Sequence, residues 1–161
     1  MKGISDTSPL LYLYRIGGIE WLGELFEEVW VPMAVVAELA EGRRRGYDVP
    51  IPESYVWIQT VQPRVVPSEW LAADLGRGEL SVMALGLEHR EAVVILDDLL
   101  ARRIAQAAGL QVWGTLRVMV QAKAQGLIPA IAPYVERLRS AGMWLSEEIE
   151  ERILRLAGEV P

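Results

Sequence analysis

Apolar positions along this chain follow two spacings, and segments of the two kinds alternate. Short apolar runs or polar–apolar alternation predict β-strands at residues 29–31, 56–61, 92–96 and 110–113. Apolar residues three and four apart predict helices at 10–16, 19–28, 32–41, 78–88, 99–108 and 115–124, with two more starting near Pro133 and Ser146. Strands that alternate with helices predict an α/β fold, in which a mainly parallel sheet is the middle of three α/β/α layers.

Turn-forming residues separate these segments. Ser8-Pro9 is expected to supply the N-cap and the first residue of the first helix, which Gly17-Gly18 ends. Residues 42–52 have the composition of a turn-rich, basic loop. Because the chain has no repeat, linker or low-complexity tract, we expect a single domain over residues 1–161, with about 130–161 as a C-terminal helical extension.

The composition excludes several kinds of protein and site. The 161 residues contain no cysteine, which excludes disulfides and thiolate-bound zinc and fits a cytoplasmic location. A single histidine, His89, excludes multi-histidine metal sites and makes a Ser-His-Asp triad hard to build. The start of the chain lacks the pattern of a signal peptide, and no apolar run reaches the roughly 20 residues that span a bilayer.

The net charge of −6 argues against nucleic-acid binding by the surface as a whole. Basic residues nevertheless cluster locally, in Arg43-Arg44-Arg45 and Arg102-Arg103. Arginine suits bidentate phosphate contacts, although a solvated helix end is the simpler interpretation of each cluster. Of six tryptophans, those in apolar stretches are expected in the core, namely Trp21, Trp30 and Trp57. For Trp70, Trp113 and Trp144, the sequence does not decide between core packing and base stacking.

Four acidic residues are the strongest candidates for chemistry. Asp6 and Asp97 each follow an apolar segment, and ligands of parallel sheets bind beyond the carboxyl ends of the strands. Glu38 and Glu79 lie in predicted helices with apolar residues three and four positions away. Carboxylates near apolar faces are costly unless a cation meets them, so a hard divalent cation bound through oxygen is the natural ligand.

Each acid taken alone also has a structural explanation. Asp6 suits a turn, Glu38 suits a solvated helix face, and Glu79 suits the positive end of a helix dipole. Either Asp97 or the adjacent Asp98 suits a helix cap. The acids therefore point to a site only as a set.

The order of several short motifs resembles that of PIN-domain proteins. The stretches that carry the resemblance are residues 5–10, 35–39, 78–81, 84–85, 95–98, 101–105, 114–116, 122–123, 126–128 and 138–142. The resemblance implies a Mg²⁺- or Mn²⁺-dependent endoribonuclease, with Asp6, Glu38, Glu79 and Asp97 as the acidic quartet and Asp98 as the alternative fourth metal ligand. It implies further that Thr7, Ser8 and Thr115 assist by hydrogen bonding.

Partners follow from the same resemblance. Single-stranded RNA is the expected substrate, with Arg43, Arg44, Arg45, Arg102 and Arg103 as candidate contacts, and a toxin of this kind pairs with a small antitoxin. The apolar tail helices suit a homodimer, and no membrane association is expected. The competing interpretation is a catalytically silent PIN-like binding or interaction module. A phosphatase-type aspartate is disfavoured because Asp6-Thr7-Ser8-Pro9 lacks a second aspartate two residues on.

Overall fold

A five-stranded, entirely parallel sheet forms the centre of the computed structural model, which describes residues 1–160. The strands are β1 (Lys2–Ser5), β2 (Glu28–Val31), β3 (Ile58–Thr60), β4 (Val93–Ile95) and β5 (Gln111–Trp113). Their order in the sheet is β3-β2-β1-β4-β5. The chain therefore starts in the middle of the sheet, builds outward to one edge, and returns to build the other.

Within residues 1–160, eight α-helices surround the sheet: α1 (Thr7–Arg15), α2 (Glu20–Leu25), α3 (Met33–Arg44), α4 (Arg77–Glu88), α5 (Leu99–Ala107), α6 (Thr115–Ala124), α7 (Ala132–Ser140) and α8 (Glu147–Leu156). Helix α4 packs on β1 and β4, and α2 packs on β2. Of the tail helices, α7 contacts α1 and α8 contacts α6. The predicted three-layer α/β/α class is confirmed, and the sheet is wholly rather than mainly parallel.

The register of β1 with its two neighbours positions the candidate site. Ile4 pairs with Trp30 of β2 on one side and with Val94 of β4 on the other. Strand order reverses between β1 and β4, so the loops that leave these two strands diverge and open a crevice at the carboxyl edge of the sheet. Asp6 directly follows β1, and the acidic pair after β4 faces it across the crevice.

Three predicted boundaries were wrong. The first helix starts at Thr7, so Asp6 rather than Ser8 occupies the N-cap position. The second helix ends at Leu25 because Phe26 is extended and buried beneath β1, and Glu28 already belongs to β2. Helix α3 runs through Arg44, because Glu41 pairs with both Arg44 and Arg45 at helical spacing.

The hydrophobic core contains most of the aromatic residues that the sequence placed there. Trp21 and Trp30 are buried, and so is Trp70, whereas Trp57 is only partly buried. Across residues 1–160, no helix is long and apolar enough to cross a membrane.

The contact between α4 and β4 yields a stability prediction. A methyl group at Gly86 would lie 2.7 Å from Cγ1 of Val94, too close without movement of the helix or the strand. We expect Gly86→Ala to lower the free energy of unfolding by about 1–3 kcal/mol in urea titrations.

Gly42→Ala is the matched control, because it is also a helical glycine. Its methyl group would meet Cγ1 of Val49 at an ordinary 3.5 Å, so it should raise the free energy of unfolding by about 0.5–1 kcal/mol. Equal stability of the two variants would mean that a methyl group at Gly86 does not clash with β4.

Candidate active site

The five candidate acids are brought to one edge of the sheet by four different elements. Asp6 follows β1, Asp97 and Asp98 follow β4, Glu38 comes from α3, and Glu79 comes from the first turn of α4. The structure thus gathers residues that are up to 92 positions apart in sequence, from Asp6 to Asp98.

Asp6 is the centre of this group. Its side chain is only 7% exposed, and no lysine or arginine within residues 1–160 forms an ion pair with it. Burial raises its pKa from 3.8 to about 7, although the neighbouring amide of Thr7 acts in the opposite direction. The negative charges of Glu79, Glu38 and Asp97 raise the pKa further.

Gly78 is the point where Asp6 and Glu38 meet. A Cβ at this position would lie 2.7 Å from Oδ1 of Asp6 and 2.9 Å from Oε1 of Glu38, so both carboxylates occupy the space that any other residue would fill. Gly78 itself is buried in the first turn of α4. Only glycine lets α4 approach β1 and α3 this closely.

Glu38 lies on the solvated face of its helix, as its structural explanation expected. The residue is exposed, but its carboxylate turns back to the site, where it accepts hydrogen bonds from the Thr7 hydroxyl and from the Gly78 amide at 3.3 Å. It therefore lies at the solvent side of the acidic group, opposite the buried Asp6.

Glu79 lies half-buried at the start of α4, where one oxygen accepts a 2.8 Å hydrogen bond from the amide of Gly76. Burial raises its pKa, and the charges of Asp98 and Glu38 add to the effect. Glu79 thus interacts with the N-terminus of its helix, as the structural explanation expected, and also with the charges of the other acids.

Asp97 and Asp98 have different neighbours. Asp97 accepts hydrogen bonds from the amide of Thr115 at 2.8 Å and from its hydroxyl at 2.7 Å. Burial raises the pKa of Asp97, while these bonds and the charge of Arg102 act to lower it. Asp98 is exposed and caps α5, accepting from the amide of Ala101 at 2.9 Å.

Helix N-termini converge on the acids. The amides that donate to the carboxylates lie in the first turns of α4, α5 and α6 or at the N-cap of α4. Thr7, whose hydroxyl donates to Glu38, is the first residue of α1. Unpaired amides at a helix start favour negative charge. These interactions hold the carboxylates together without a positively charged side chain in the centre.

The donor set fits a hard divalent cation by its chemistry, since carboxylate and hydroxyl oxygens are the ligands that Mg²⁺ and Mn²⁺ prefer. The geometry is looser than a metal shell, because no three acidic or histidine side chains among residues 1–160 are arranged to hold an ion. Two of these acids accept hydrogen bonds from backbone amides instead, Glu79 from Gly76 and Asp97 from Thr115.

The two arginine clusters lie at different distances from the acids. Arg102 and Arg103 line a cavity of about 680 Å³ together with Ser8, Asp97 and Asp98. Arg45 lines a cavity of about 500 Å³ with Glu38 and Arg77.

The other members of the first cluster are less available to a ligand at the acidic site. Arg44 is paired with Glu41, which also binds Arg45. Arg43 faces a separate cavity beside Tyr14 and Asp48. The arginines after β4 are therefore better placed for a ligand at the acidic site.

Sequence reasoning missed Gly78 and Arg77 as site residues. The glycine stood next to a candidate acid, and a glycine beside an acid at a helix start is a usable signal for close backbone approach. Arg77 carries no such signal, because its proximity to Glu38 depends on the packing of α3 against α4.

A family model described as DUF3368: PIN domain matches residues 2–159. The match spans all five strands, all eight helices and every acid of the site. No curated protein matches the chain significantly.

The raised pKa of Asp6 predicts a pH-dependent stability. Because the pKa of Asp6 rises from its ordinary value of 3.8 to about 7 in the folded protein, the folded state holds a proton between these pH values that the unfolded chain has lost. Stability should therefore fall as the pH rises through this window, by up to about 4 kcal/mol. In metal-free buffer, Asp6→Asn should unfold at a higher temperature than the parent at pH 8.

At pH 4 the parent carries a protonated Asp6, so the parent and Asp6→Asn should unfold at similar temperatures. A constant difference between them from pH 4 to pH 8 would show that Asp6 does not titrate in this window.

Proposed function

This chain belongs to the PIN-domain family, which has a nuclease-type fold, and we propose that it is a metal-dependent endoribonuclease. The observation that carries the proposal is the buried, unpaired carboxylate of Asp6, with the charges of Glu38, Glu79 and Asp97 acting on it. A fold gains nothing in stability from such a group, so a ligand that neutralises it accounts for its presence.

The ligand we propose is Mg²⁺ or Mn²⁺, held by Asp6, Glu38, Glu79 and Asp97, with Asp98 as the alternative fourth acid. When bound, such an ion polarises a scissile phosphate and lowers the pKa of a bound water. The protein's own contribution is to keep the acids together, and binding of the ion would displace the proton that Asp6 holds near neutral pH.

Three hydroxyl residues support this arrangement in different ways. Thr115 is fully buried and donates to Asp97, and Thr7 donates to Glu38, so both position an acid. Ser8 is half-buried and lines the cavity that contains Asp97 and Arg102. We propose that the Ser8 hydroxyl contacts the substrate phosphate, with Arg102 beside it.

The proposal includes a toxin role, in which a small antitoxin protein blocks the site until the antitoxin is removed. Its support is the resemblance of the chain to toxin ribonucleases, together with an acidic site that opens to the surface at Glu38 and Asp98.

A catalytically silent binding module is the second candidate, favoured by a specific observation. Each acid except Asp6 already accepts a hydrogen bond from a backbone amide at a helix start, and no three of them form a metal shell within residues 1–160. On this view the acids stabilise the crevice, and the protein binds its ligand without cutting it.

Metal binding and cleavage distinguish the two candidates. We expect millimolar Mn²⁺ or Mg²⁺ to raise the melting temperature of the parent at pH 8, because the ion neutralises the acids of the folded state only. We also expect Mn²⁺-dependent cleavage of single-stranded RNA, reduced at least about 100-fold in Asp6→Asn and in Asp97→Asn.

Glu91→Gln is the matched control, since Glu91 is an exposed acid after α4 on the far side from the site. It should keep both the thermal shift and the cleavage. A parent that shows neither a metal-induced shift nor cleavage would be a binding module. Cleavage that persists in Asp6→Asn would point to a contaminating nuclease.

Growth assays test the toxin role separately. Induced expression of the parent should stop bacterial growth, while Asp6→Asn expressed to the same level should not. Growth arrest by both proteins would exclude RNA cleavage at this site as the cause.

A further inference from the structure

Two adjoining cavities form one groove that leads away from the acidic site. The first, of about 680 Å³, contains Asp97 and Asp98 in its lining, and the second, of about 710 Å³, lies between α5, α6 and α8. They share Leu99, Arg102 and Leu116 in their linings. We call this continuous depression the C-terminal groove, because α8 and the turn before it form one wall.

The floor and rim of the C-terminal groove expose apolar side chains that the fold leaves uncovered. Leu99 is 60% exposed, Leu156 is 68% exposed, and Ile149, which lines the same cavity, is 40% exposed. Trp144, in the turn between α7 and α8, is 81% exposed at the end nearest the acids. Most of the surface of this tryptophan is uncovered, so its flat ring is available to a ligand.

Arginines from three helices reach the same groove. Arg102 and Arg103 come from α5, Arg117 from α6 and Arg152 from α8. None of them forms an ion pair within residues 1–160, whereas Arg44, Arg45 and Arg139 elsewhere on the surface are all paired. In the described part of the chain, Asp97 and Asp98 are the only acids that line the groove. An acidic protein thus presents a local basic track that starts at its acidic site.

We infer that the C-terminal groove binds single-stranded RNA, with a base stacked on Trp144 and phosphates paired with Arg117 and Arg152. A ring platform together with spaced arginines is what an unpaired strand requires, since every base has a face to stack and every nucleotide carries one phosphate. This inference rests on the proposed function only for the direction of the strand, which runs from the groove to the acids.

The groove favours a single strand over a duplex. Unstacked bases are available only in single strands, and the apolar floor of Leu99 and Ile149 gives them a surface that a phosphate backbone would not use. The competing occupant of the groove is a helical protein segment with acidic residues. RNA-binding measurements on groove variants separate the two occupants.

Binding is measured by fluorescence anisotropy with a labelled, mixed-sequence single-stranded RNA of about 12 nucleotides. The parent for these measurements is the Asp6→Asn protein without divalent metal, so that binding is read independently of cleavage. Trp144→Ala in this background should raise the Kd about 5- to 100-fold, and Trp144→Phe should restore most of the affinity.

The double variant Arg117→Ala/Arg152→Ala should weaken binding and lower the slope of log K against log salt by about 1.4. Arg15→Ala/Arg64→Ala is the matched control, because both arginines are exposed, unpaired within residues 1–160 and outside the groove. It should leave Kd and slope close to those of the parent. Unchanged melting temperatures exclude misfolding as the cause of any loss.

The outcomes separate this inference from the proposed function. RNA binding that depends on Trp144 and the two arginines, without any cleavage by the wild-type protein, would support the groove and overturn the nuclease. Cleavage by the wild-type protein with equal Kd for parent and groove variants would overturn the groove and leave the nuclease. Equal Kd for parent and groove variants is also the result expected if a protein segment occupies the groove.

Discussion

Burying a carboxylate without a positively charged partner costs folding free energy, and most of the site consists of features that reduce this cost. Asp6 sits at the end of the central strand β1, beneath α3 and α4, where water is nearly excluded. The fold reduces the cost in two ways: it raises the pKa of Asp6, so that the group is half-protonated near neutral pH, and it surrounds the acids with helix starts. Neither removes the cost, whereas the cation that we propose for the crevice would neutralise the charge.

The parallel sheet explains why helix starts are available. In a sheet of this kind each strand is followed at its carboxyl end by a helix, so the amides of α1, α5 and α6 all begin at the same edge. The acids follow β1 and β4 directly and therefore meet these amides without long loops. Glu38 and Glu79 enter from α3 and α4, which pack against each other above the crevice. The architecture alone thus places the amides of helix starts, which favour negative charge, around the acidic side chains.

Much of this was predictable from the sequence, for reasons that are physical. The alternation of strand and helix segments predicted the fold class, and the strand-end positions of Asp6 and Asp97 predicted that they would lie at one edge. What depended on side-chain rotation was not predictable: Glu38 turned out exposed, and Asp97 turned towards Thr115. Helix ends were shifted by single contacts, as when Glu41 extended α3 to Arg44. The role of Gly78 required knowledge of how closely two helices approach a strand.

The strand order has a consequence for the timing of assembly. β1 is the first strand to be synthesised, yet it lies in the centre of the sheet and needs both β2 and β4 as neighbours. Asp6 leaves the ribosome long before Asp97, and the buried Thr115 that orients Asp97 follows later still. A growing chain therefore carries Asp6 on an incomplete sheet until β4, Asp97 and Thr115 have also been made. The acidic site can therefore form only after β4 has joined the sheet and the first turn of α6 has followed it.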